Sequence, residues 1–400
     1  MGLIGVFAWL PIQILIRGAW IHRGDGTLPM RADMLVRGDS IAAIAPVISA
    51  LPEYQVIDAR GKHVYPGIIA IGTPVGLIEI EAIRATRDAA EVGEFTPEAA
   101  AYTAFNVDSR VLPTLRANGI LYVESVPQGG VIAGRSAVFR LMGRTREQAV
   151  VLSSAALHCY PPSLRPWLYA PYEEQKKEVE RAHESWKRLD AYFEQAGRWC
   201  GGDSLFPSVA FRALCPYLRG EKPVIWHVET AEDIEAVVRF SSRWGLKAAI
   251  AGGAEALRVV SLLREHNIPL ILIRTHRLPP SEDSPMDYFY ALPKSLRDSG
   301  ITVFLSHDSF WNQRNLAYNA GSAAAYGLSS EEALALITDK PARWLGLSRL
   351  GRLEVGYKAS FLLVEGDLLD VPRSRILRAW LEGKEVNLSD NPQEQLFHKY

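Results

Sequence analysis

The sequence contains 400 residues, of which 48% are hydrophobic, 22% charged and 10% aromatic. These proportions are typical of an ordinary globular protein and exclude disordered, collagen-like and coiled-coil chains. Lys and Arg number 44 against 45 Asp and Glu, a formal charge of −1, so no global field favours nucleic acid or an anionic membrane as a partner.

The chain begins with an apolar run, Met1–Leu10, that lacks a basic flank and ends at Pro11. This run is shorter than the roughly 18 to 20 residues needed to cross a bilayer, so we predict no transmembrane helix. It also resembles a clipped signal peptide, which leaves export as an alternative to a cytoplasmic location.

The cysteines are few and widely spaced. Cys159, Cys200 and Cys215 form no Cys-x-x-Cys pair, so the sequence indicates neither a disulfide framework nor a thiolate zinc site. The expectation is therefore a reducing compartment, and we predict a cytoplasmic location.

Both ends of the chain show short β-rich runs that are broken by turns. Between residues 12 and 57 the turns include Gly24-Asp25-Gly26 and Arg37-Gly38-Asp39, and after residue 351 the same texture precedes Glu382-Gly383-Lys384. Such patterns predict a small antiparallel sheet at each end.

Between these ends, apolar strands alternate with amphipathic helices. The clearest predicted strands are 223–227, 247–251, 269–273 and 301–306, with helices over 231–244 and 254–266 between them. Continuous apolar strands at this spacing are typical of parallel strands covered by helices, and a (β/α)8 barrel is the simplest arrangement. The charged segment Tyr172–Ala196 is predicted to be a long outer helix.

Two motifs support a family resemblance. Val56–Ile69 reads VIDARGKHVYPGII, and Ile337–Leu347 reads ITDKPARWLGL, followed by Gly351–Phe361. They resemble segments of the amidohydrolase superfamily in which a small sheet meets the first barrel strand and in which the closing helix returns to that sheet. The imidazolonepropionase-like and dihydroorotase-like groups are the most similar in texture.

The resemblance implies an α/β fold with two parts. The first is a (β/α)8 TIM-like barrel over residues 66–348. The second is a small composite β-sandwich built from both chain ends, over residues 12–65 and 349–390.

The metal ligands implied by this resemblance are mostly missing. The family's His-x-His pair on barrel strand 1 corresponds to Gly72-Thr73-Pro74, and the strand 6 histidine to Gly252-Gly253. Strand 5 keeps His227 and strand 8 keeps Asp308, whereas strand 4 offers no clear bridging lysine or acid. Because catalytic zinc sites normally have three protein ligands, a divalent metal such as zinc is disfavoured, and any such ion would use His227 and Asp308.

The resemblance makes Asp308 the candidate general base and His227 the group that orients or polarises a substrate carbonyl. His276 and His307 also follow predicted barrel strands, and they are candidates for substrate binding beside His227. The alternative for His227 is a barrel histidine that is hydrogen-bonded without any chemical role.

Three arginines are further candidates for substrate binding. Arg84 and Arg87 lie three residues apart in a charged loop, so on a helical turn they would share a face and could hold a carboxylate. Arg135 follows the glycine-rich turn 127–134 and could meet an anion. The alternatives are a solvated charged loop and a turn that needs glycine for its backbone alone.

Two functions follow from these patterns. The first is a hydrolase of non-peptide C–N bonds in a small cyclic amide, amidine or peptide-like substrate. The second is a catalytically inactive relative that serves as a binding or assembly module, as a homo-oligomer or together with an active paralogue. Because a fold does not by itself define a function, the sequence leaves both open.

Overall fold

A computed structural model describes residues 13–167, 169–202, 206–397 and 399. The apolar run Met1–Leu10 lies outside the described residues, so its interpretation stays a prediction. No helix in the described part of the chain has the combined length and hydrophobicity that a membrane crossing requires.

The described residues form a mixed α/β fold. The strands are β1 Gln13–Ile21, β2 Met30–Arg37, β3 Ser40–Ala45, β4 Gln55–Asp58, β5 His63–Pro66, β6 Ile68–Thr73, β7 Ile120–Ser125, β8 Ile132–Arg135, β9 Ala137–Arg140, β10 Val150–Leu152, β11 Leu157–Cys159, β12 Pro223–Val228, β13 Lys247–Gly252, β14 Leu270–Ile273, β15 Val303–Ser306, β16 Phe361–Glu365, β17 Arg375–Leu381 and β18 Lys384–Val386. The helices are α1 Ala101–Ala104, α2 Val111–Ala117, α3 Arg146–Ala149, α4 Tyr172–Cys200, α5 Val209–Leu218, α6 Ala231–Arg243, α7 Val260–Glu265, α8 Tyr288–Asp298, α9 Leu316–Ala325, α10 Ser330–Ala335, α11 Asp339–Trp344 and α12 Pro392–Phe397.

Both ends of the chain meet in one eight-stranded sheet, the terminal sheet. Its order is β18-β17-β16-β5-β1-β2-β3, and β4 pairs with β1 beside this path. The C-terminal strand β16 joins β5 in antiparallel register, with Leu362 opposite Tyr65. A separate apolar core packs on this sheet, and within it Phe361 stacks on Trp380 at 4.6 Å between ring centroids. Strands from both ends of the chain therefore share one sheet.

The middle of the chain builds two further sheets, with strand orders β10-β9-β7-β6 and β15-β14-β13-β12-β11-β8. The strands from β11 to β15 pair in parallel, with α6 and α7 in the connections. The predicted parallel strands of residues 223–306 are thus confirmed. Almost every residue of these strands is buried, which explains their continuous apolar sequences.

The strand at residues 132–140 departs from the expected parallel barrel. Its two parts, β8 and β9, are separated only by Ser136, and each runs antiparallel to its neighbour, β11 and β7 respectively. For β7 and β9 the reason is the short connection of residues 126–136, since a parallel pair needs a crossover of a dozen or more residues.

The two middle sheets do not form one closed ladder in the described residues. They approach each other at β15 and β6, where the Ser306 hydroxyl donates a hydrogen bond to the Ile71 carbonyl. The two sheets are also connected through Ser136, which joins β8 of one sheet to β9 of the other.

The long helix α4 is an outer helix, as predicted. Its buried face includes Leu189 and Phe193, and Trp186 packs partly buried beside them. The charged residues of the segment lie on the exposed side.

The expectation of cysteines without a disulfide is wrong for one pair. Cys200 at the end of α4 and Cys215 in α5 are joined by a disulfide, with their Cα atoms 5.7 Å apart. Packing of α5 against α4 brings them together, and spacing along the sequence alone does not reveal this. Cys159 is free and buried. The cysteine argument for a reducing compartment therefore no longer holds.

Candidate active site

A buried chain of three polar side chains crosses the middle sheets, and we call it the relay: Glu124, His158 and His227. His158 Nε2 lies 3.4 Å from Glu124 Oε1. The other ring nitrogen of the same histidine, Nδ1, lies 2.9 Å from His227 Nε2. Glu124 and His158 are completely buried, whereas His227 is partly exposed. The relay therefore links a fully buried carboxylate to a histidine that is partly exposed.

Neighbouring strands bring the relay together. Glu124 lies in β7, His158 is the central residue of β11, and His227 is near the carboxyl end of β12. β11 and β12 pair in parallel, with His158 opposite Ile225. Side chains on neighbouring strands that point to one face can contact each other, so an otherwise apolar region holds three polar groups.

Two further donors hold the Glu124 carboxylate. The Ser136 hydroxyl donates to Glu124 Oε1 at 2.6 Å, and the Gly72 N–H donates to Oε2 at 3.0 Å. Burial raises the pKa of the Glu124 carboxyl, but the hydrogen bonds from His158, Ser136 and Gly72 outweigh burial and keep the pKa below its ordinary value. Glu124 is thus an ionised buried carboxylate.

The His227 ring is held in place and kept neutral. Tyr160 stacks on it with 3.9 Å between ring centroids and an angle of 15° between the planes. Desolvation and the neighbouring His158 lower the pKa of His227 well below its ordinary value of 6.5. Its Nδ1 makes no hydrogen bond to any described residue, so this nitrogen is available to a ligand or water.

The relay does not fit a metal ion of the kind the sequence resemblance implies. Glu124 and His227 contact opposite ring nitrogens of His158, so the three side chains do not converge on one point. At the strand 1 position Gly72 offers only its backbone, and the neighbouring Thr73 hydroxyl is buried without a partner. Among the described residues, no group of three or more His, Cys, Asp or Glu side chains could hold a metal ion.

Asp308, the predicted general base, lies beyond the end of β15 and its side chain is 50% exposed. Its carboxylate lies 3.1 Å from His307 Nδ1 and 3.4 Å from Arg274 Nε. The hydrogen bond with His307 lowers the pKa of Asp308 against the opposing effect of burial, and Arg274 lowers it further. In the described residues Asp308 makes no contact with the relay.

The other two predicted histidines are bound elsewhere. His276 Nδ1 lies 2.7 Å from Asn319 Oδ1, and its Nε2 lies 2.7 Å from the Ser322 hydroxyl, so α9 occupies both nitrogens. His307 contacts Asp308 and accepts from the Ser309 N–H at 3.1 Å. Neither histidine touches His227 in the described part of the chain, so the structure does not bring the three predicted histidines together.

The predicted arginine pair lies on the surface. Arg84 begins a short 3-10 turn, Arg84–Thr86, and Arg87 follows it. Both side chains are exposed, and neither forms an ion pair with a described residue. Among the described residues, no hydrogen bond or ion pair joins either arginine to the relay.

The glycine-rich turn has a packing role. A side chain at Gly130 would place its Cβ 2.6 Å from the Gly93 carbonyl oxygen, and one at Gly134 would lie 2.6 Å from the Ala99 oxygen. Both glycines also have positive φ, at 65° and 125°. The turn is therefore glycine-rich because residues 93–99 cross it closely.

Arg135 borders a cleft of about 390 Å³ beside this crossing segment. Its Nη2 donates to the Glu98 carbonyl at 2.8 Å, and its Nε is buried without a partner. Asp88, Glu91 and Glu98 also line the cleft, whereas no relay residue does. The cleft is therefore separate from the relay, and its lining contains three acidic residues and one arginine.

Sequence reasoning missed Glu124 and His158. Each is a lone polar residue within a short apolar strand, in Leu121–Ser125 and Leu157–Cys159 respectively. A charged residue within an apolar strand is itself a signal of a buried pair, because a carboxylate is almost never fully buried unless it is paired. The sequence does not, however, identify the partner, which comes from another strand.

Comparisons with known proteins agree with this fold. A model of the amidohydrolase family matches residues 219–389. The amidohydrolase tasK of Hapsidospora irregularis is 25% identical over 421 residues, an alignment that covers 94% of this chain and 40% of that protein. The chain thus spans less than half the length of this curated relative.

Solved structures have the same fold. An amidohydrolase from Thermotoga maritima superposes with a TM-score of 0.81 at 21% identity, covering 94% of this chain and 99% of that one. Ochratoxinase from A. niger superposes with a TM-score of 0.56 at 14% identity, covering 94% and 96% of the two chains. The matched family model and the curated relative show that the chain is similar to amidohydrolases, and the solved structures show that it has the same fold as theirs.

Proposed function

We propose that this chain hydrolyses a C–N bond in a small cyclic amide, amidine or peptide-like substrate, with His227 as the general base. The observation that carries the proposal is the relay itself, which connects the accessible His227 to the buried Glu124 carboxylate through His158. A buried carboxylate that orients a histidine, which then acts on substrate, is a recurrent arrangement in hydrolases.

The relay can move one proton in each half of the reaction. His158 Nε2–H donates to Glu124, and His227 Nε2–H donates to His158 Nδ1, which leaves a lone pair on His227 Nδ1. A water gives its proton to this nitrogen as its oxygen bonds to the substrate carbon. The same proton then passes to the leaving nitrogen as the C–N bond breaks, so the products are an acid and an amine.

Three features support a base of this kind. The lowered pKa keeps His227 neutral at neutral pH, so it can accept a proton. The negative charge on Glu124 stabilises the imidazolium that forms during the reaction. Stacking on Tyr160 holds the His227 ring in one orientation. A base that is already oriented reacts faster than one that must first rotate into position.

The proposal uses no metal ion, because the donors near His227 do not converge. Asp308 enters it as a group at the edge of the strands, where it can contact substrate together with Arg274. That position, just beyond the carboxyl end of a strand, is where α/β barrels bind ligands. We further propose that the two middle sheets act as one barrel beside a composite sandwich, with Ser306 bridging to β6.

The similar proteins are consistent with hydrolysis. They include an amidohydrolase, molinate hydrolase and N-isopropylammelide isopropylaminohydrolase, the last from Burkholderia multivorans. The two solved structures are only 14% and 15% identical to this chain, so they support the fold and leave the substrate to experiment.

A second function is a non-catalytic binding or assembly module, alone or with an active paralogue. One observation favours it: the predicted base Asp308 is engaged by His307 and Arg274 instead of facing the relay. In that case the partner is a small molecule or another protein chain, and no turnover occurs.

The test is a hydrolysis assay with matched variants. Dihydroorotate-like, imidazolone-like and dipeptide amides are incubated with the purified chain, with added zinc and with a chelator, while bound metal is measured by mass spectrometry. We expect chelator-resistant turnover of at least one class that His227→Gln abolishes and His183→Gln, on the exposed face of α4, leaves intact. Turnover that requires zinc, or that survives His227→Gln, overturns the proposed base. No turnover in any class favours the binding module.

A further inference from the structure

A second Glu–His–His chain lies away from the relay, and we call it the junction cluster: His22, His63 and Glu331. His22 Nδ1 lies 2.6 Å from Glu331 Oε1, and His22 Nε2 lies 2.8 Å from His63 Nδ1. The side chains of His22 and Glu331 are only 9% and 7% exposed. The cluster joins two separate parts of the fold, because His22 and His63 belong to the terminal sheet and Glu331 to α10.

Aromatic and acidic neighbours enclose the cluster. His22 stacks on Tyr65 with 4.0 Å between ring centroids and an angle of 16° between the planes. The Tyr65 hydroxyl donates to Asp367 Oδ1 at 3.3 Å. The second oxygen of Glu331, Oε2, is buried and has no hydrogen-bond partner. The hydrogen bond with His22 is therefore the one that the structure shows for this carboxylate.

We propose that the junction cluster is an acid-sensitive connection between the terminal sheet and α10, weakened by one added proton and opened by a second. This inference is independent of the proposed hydrolase activity, because none of its residues touches the relay.

The proton count explains the two steps. With Glu331 ionised, His22 Nδ1–H donates to it, and His22 Nε2 accepts from His63 Nδ1–H. One proton added at His63 Nε2 leaves both hydrogen bonds in place, and its charge is balanced by Glu331. A second proton must go to His22 Nε2, where two N–H groups would then face each other across 2.8 Å. The contact between the two rings is lost at that point.

The titratable surroundings fit a first proton that weakens the cluster. Burial and the neighbouring His22 lower the pKa of His63, whereas Asp367 and Glu331 act in the opposite direction. The charged groups that face the cluster are thus Glu331 from α10 and Asp367 from the segment after β16, and Tyr65 of β5 covers it. Because the pKa of His63 is lower in the folded chain than in the unfolded one, its contribution to stability is present above about pH 6.5 and is lost as the pH falls through the folded value.

The experiment compares the thermal unfolding midpoint of the full chain from about pH 8 to about pH 5. His63→Gln keeps an N–H donor for His22 but cannot be protonated, so its midpoint should fall by about 2 °C less than that of the unchanged chain. Glu331→Gln removes the charge that balances the first proton, so its decline should begin at higher pH. His183→Gln, an exposed histidine on α4, should follow the unchanged chain.

Hydrogen exchange at about pH 5 gives a second readout. The unchanged chain should lose protection at residues 330–335 and 63–66, and His63→Gln should keep it. Parallel pH dependence of the unchanged chain and both cluster variants, or equal protection in the two chains at low pH, would overturn the proposal. If either variant fails to fold at neutral pH, the other variant still decides the question, because the two are expected to shift the decline in opposite directions.

Discussion

Replacing Glu124 by glutamine tests the relay with almost no change in side-chain size. The carboxylate receives hydrogen bonds from Ser136, Gly72 and His158. Glutamine offers one acceptor oxygen, and its NH2 group must face at least one of these donors. A buried donor without a partner costs about 1 to 3 kcal/mol, so we expect a loss of about 2 kcal/mol in the free energy of unfolding.

The same change should slow hydrolysis. The carboxylate sets the tautomer of His158 and stabilises positive charge on the histidines, and an equivalent amide substitution in a Ser-His-Asp triad lowers kcat about 10⁴-fold. We therefore expect Glu124→Gln to lower kcat by about 10² to 10⁴ with little change in KM.

The pH dependence of the stability loss follows from the pKa of Glu124. Its pKa is lower in the folded chain than in the unfolded one, so its stabilising contribution is complete above about pH 4.3 and is lost as the pH falls through the folded value. The difference between the unchanged chain and Glu124→Gln should therefore be largest near pH 7 and should shrink below about pH 4.

Chemical denaturation at several pH values and steady-state kinetics measure the two effects. Glu184→Gln, on the exposed face of α4, is the control and should leave both quantities unchanged. If Glu124→Gln unfolds at the same denaturant concentration as the unchanged chain and retains its kcat, the relay is neither a stabilising network nor part of the base.

Three further predictions follow. Because the pKa of His227 lies well below 6.5, kcat should be level from about pH 6.5 to 8.5 and should fall only at more acid pH; a rise in kcat between about pH 7 and 8 contradicts this base. Asp308→Asn should lower kcat less than tenfold and mainly raise KM, since the half-exposed Asp308 pairs with Arg274 away from the relay; a loss as large as that of Glu124→Gln would make Asp308 the base. Joint replacement of Cys200 and Cys215 by serine opens a link with a sequence separation of 15 and should remove about 2 to 3 kcal/mol of stability, measured by denaturation; unchanged stability means that the link contributes nothing.

Patterns along the sequence predict the larger features of this fold. Continuous apolar runs such as 223–228 and 247–252 predict buried parallel strands, because only a sheet covered on both faces needs apolar residues at every position. The turn-rich texture at both ends predicts short antiparallel strands there, and only the family resemblance implies that the two ends join. These features depend on local periodicity, which a single sequence records directly.

Features that depend on contacts between distant residues are not predictable in this way. The antiparallel pairing of β8 and β9 depends on which distant strands, β11 and β7, they lie beside. The disulfide depends on the packing of α5 against α4, and the relay depends on the positions of three strands. Asp308 is an example of this limit of sequence-based prediction. Its position in a motif suggests a general base, whereas in the structure its side chain is half exposed and pairs with His307 and Arg274.

The central claim is that His227 presents a free, neutral Nδ1 because His158 and Glu124 occupy its other side. The most direct test is ¹⁵N NMR of selectively labelled histidine rings near pH 7.5, with assignment by His158→Asn and His227→Asn. The account predicts that both rings are neutral and protonated at Nε2, with an unprotonated Nδ1 on His227. A His227 ring protonated at Nδ1, or a doubly protonated His158, would contradict it.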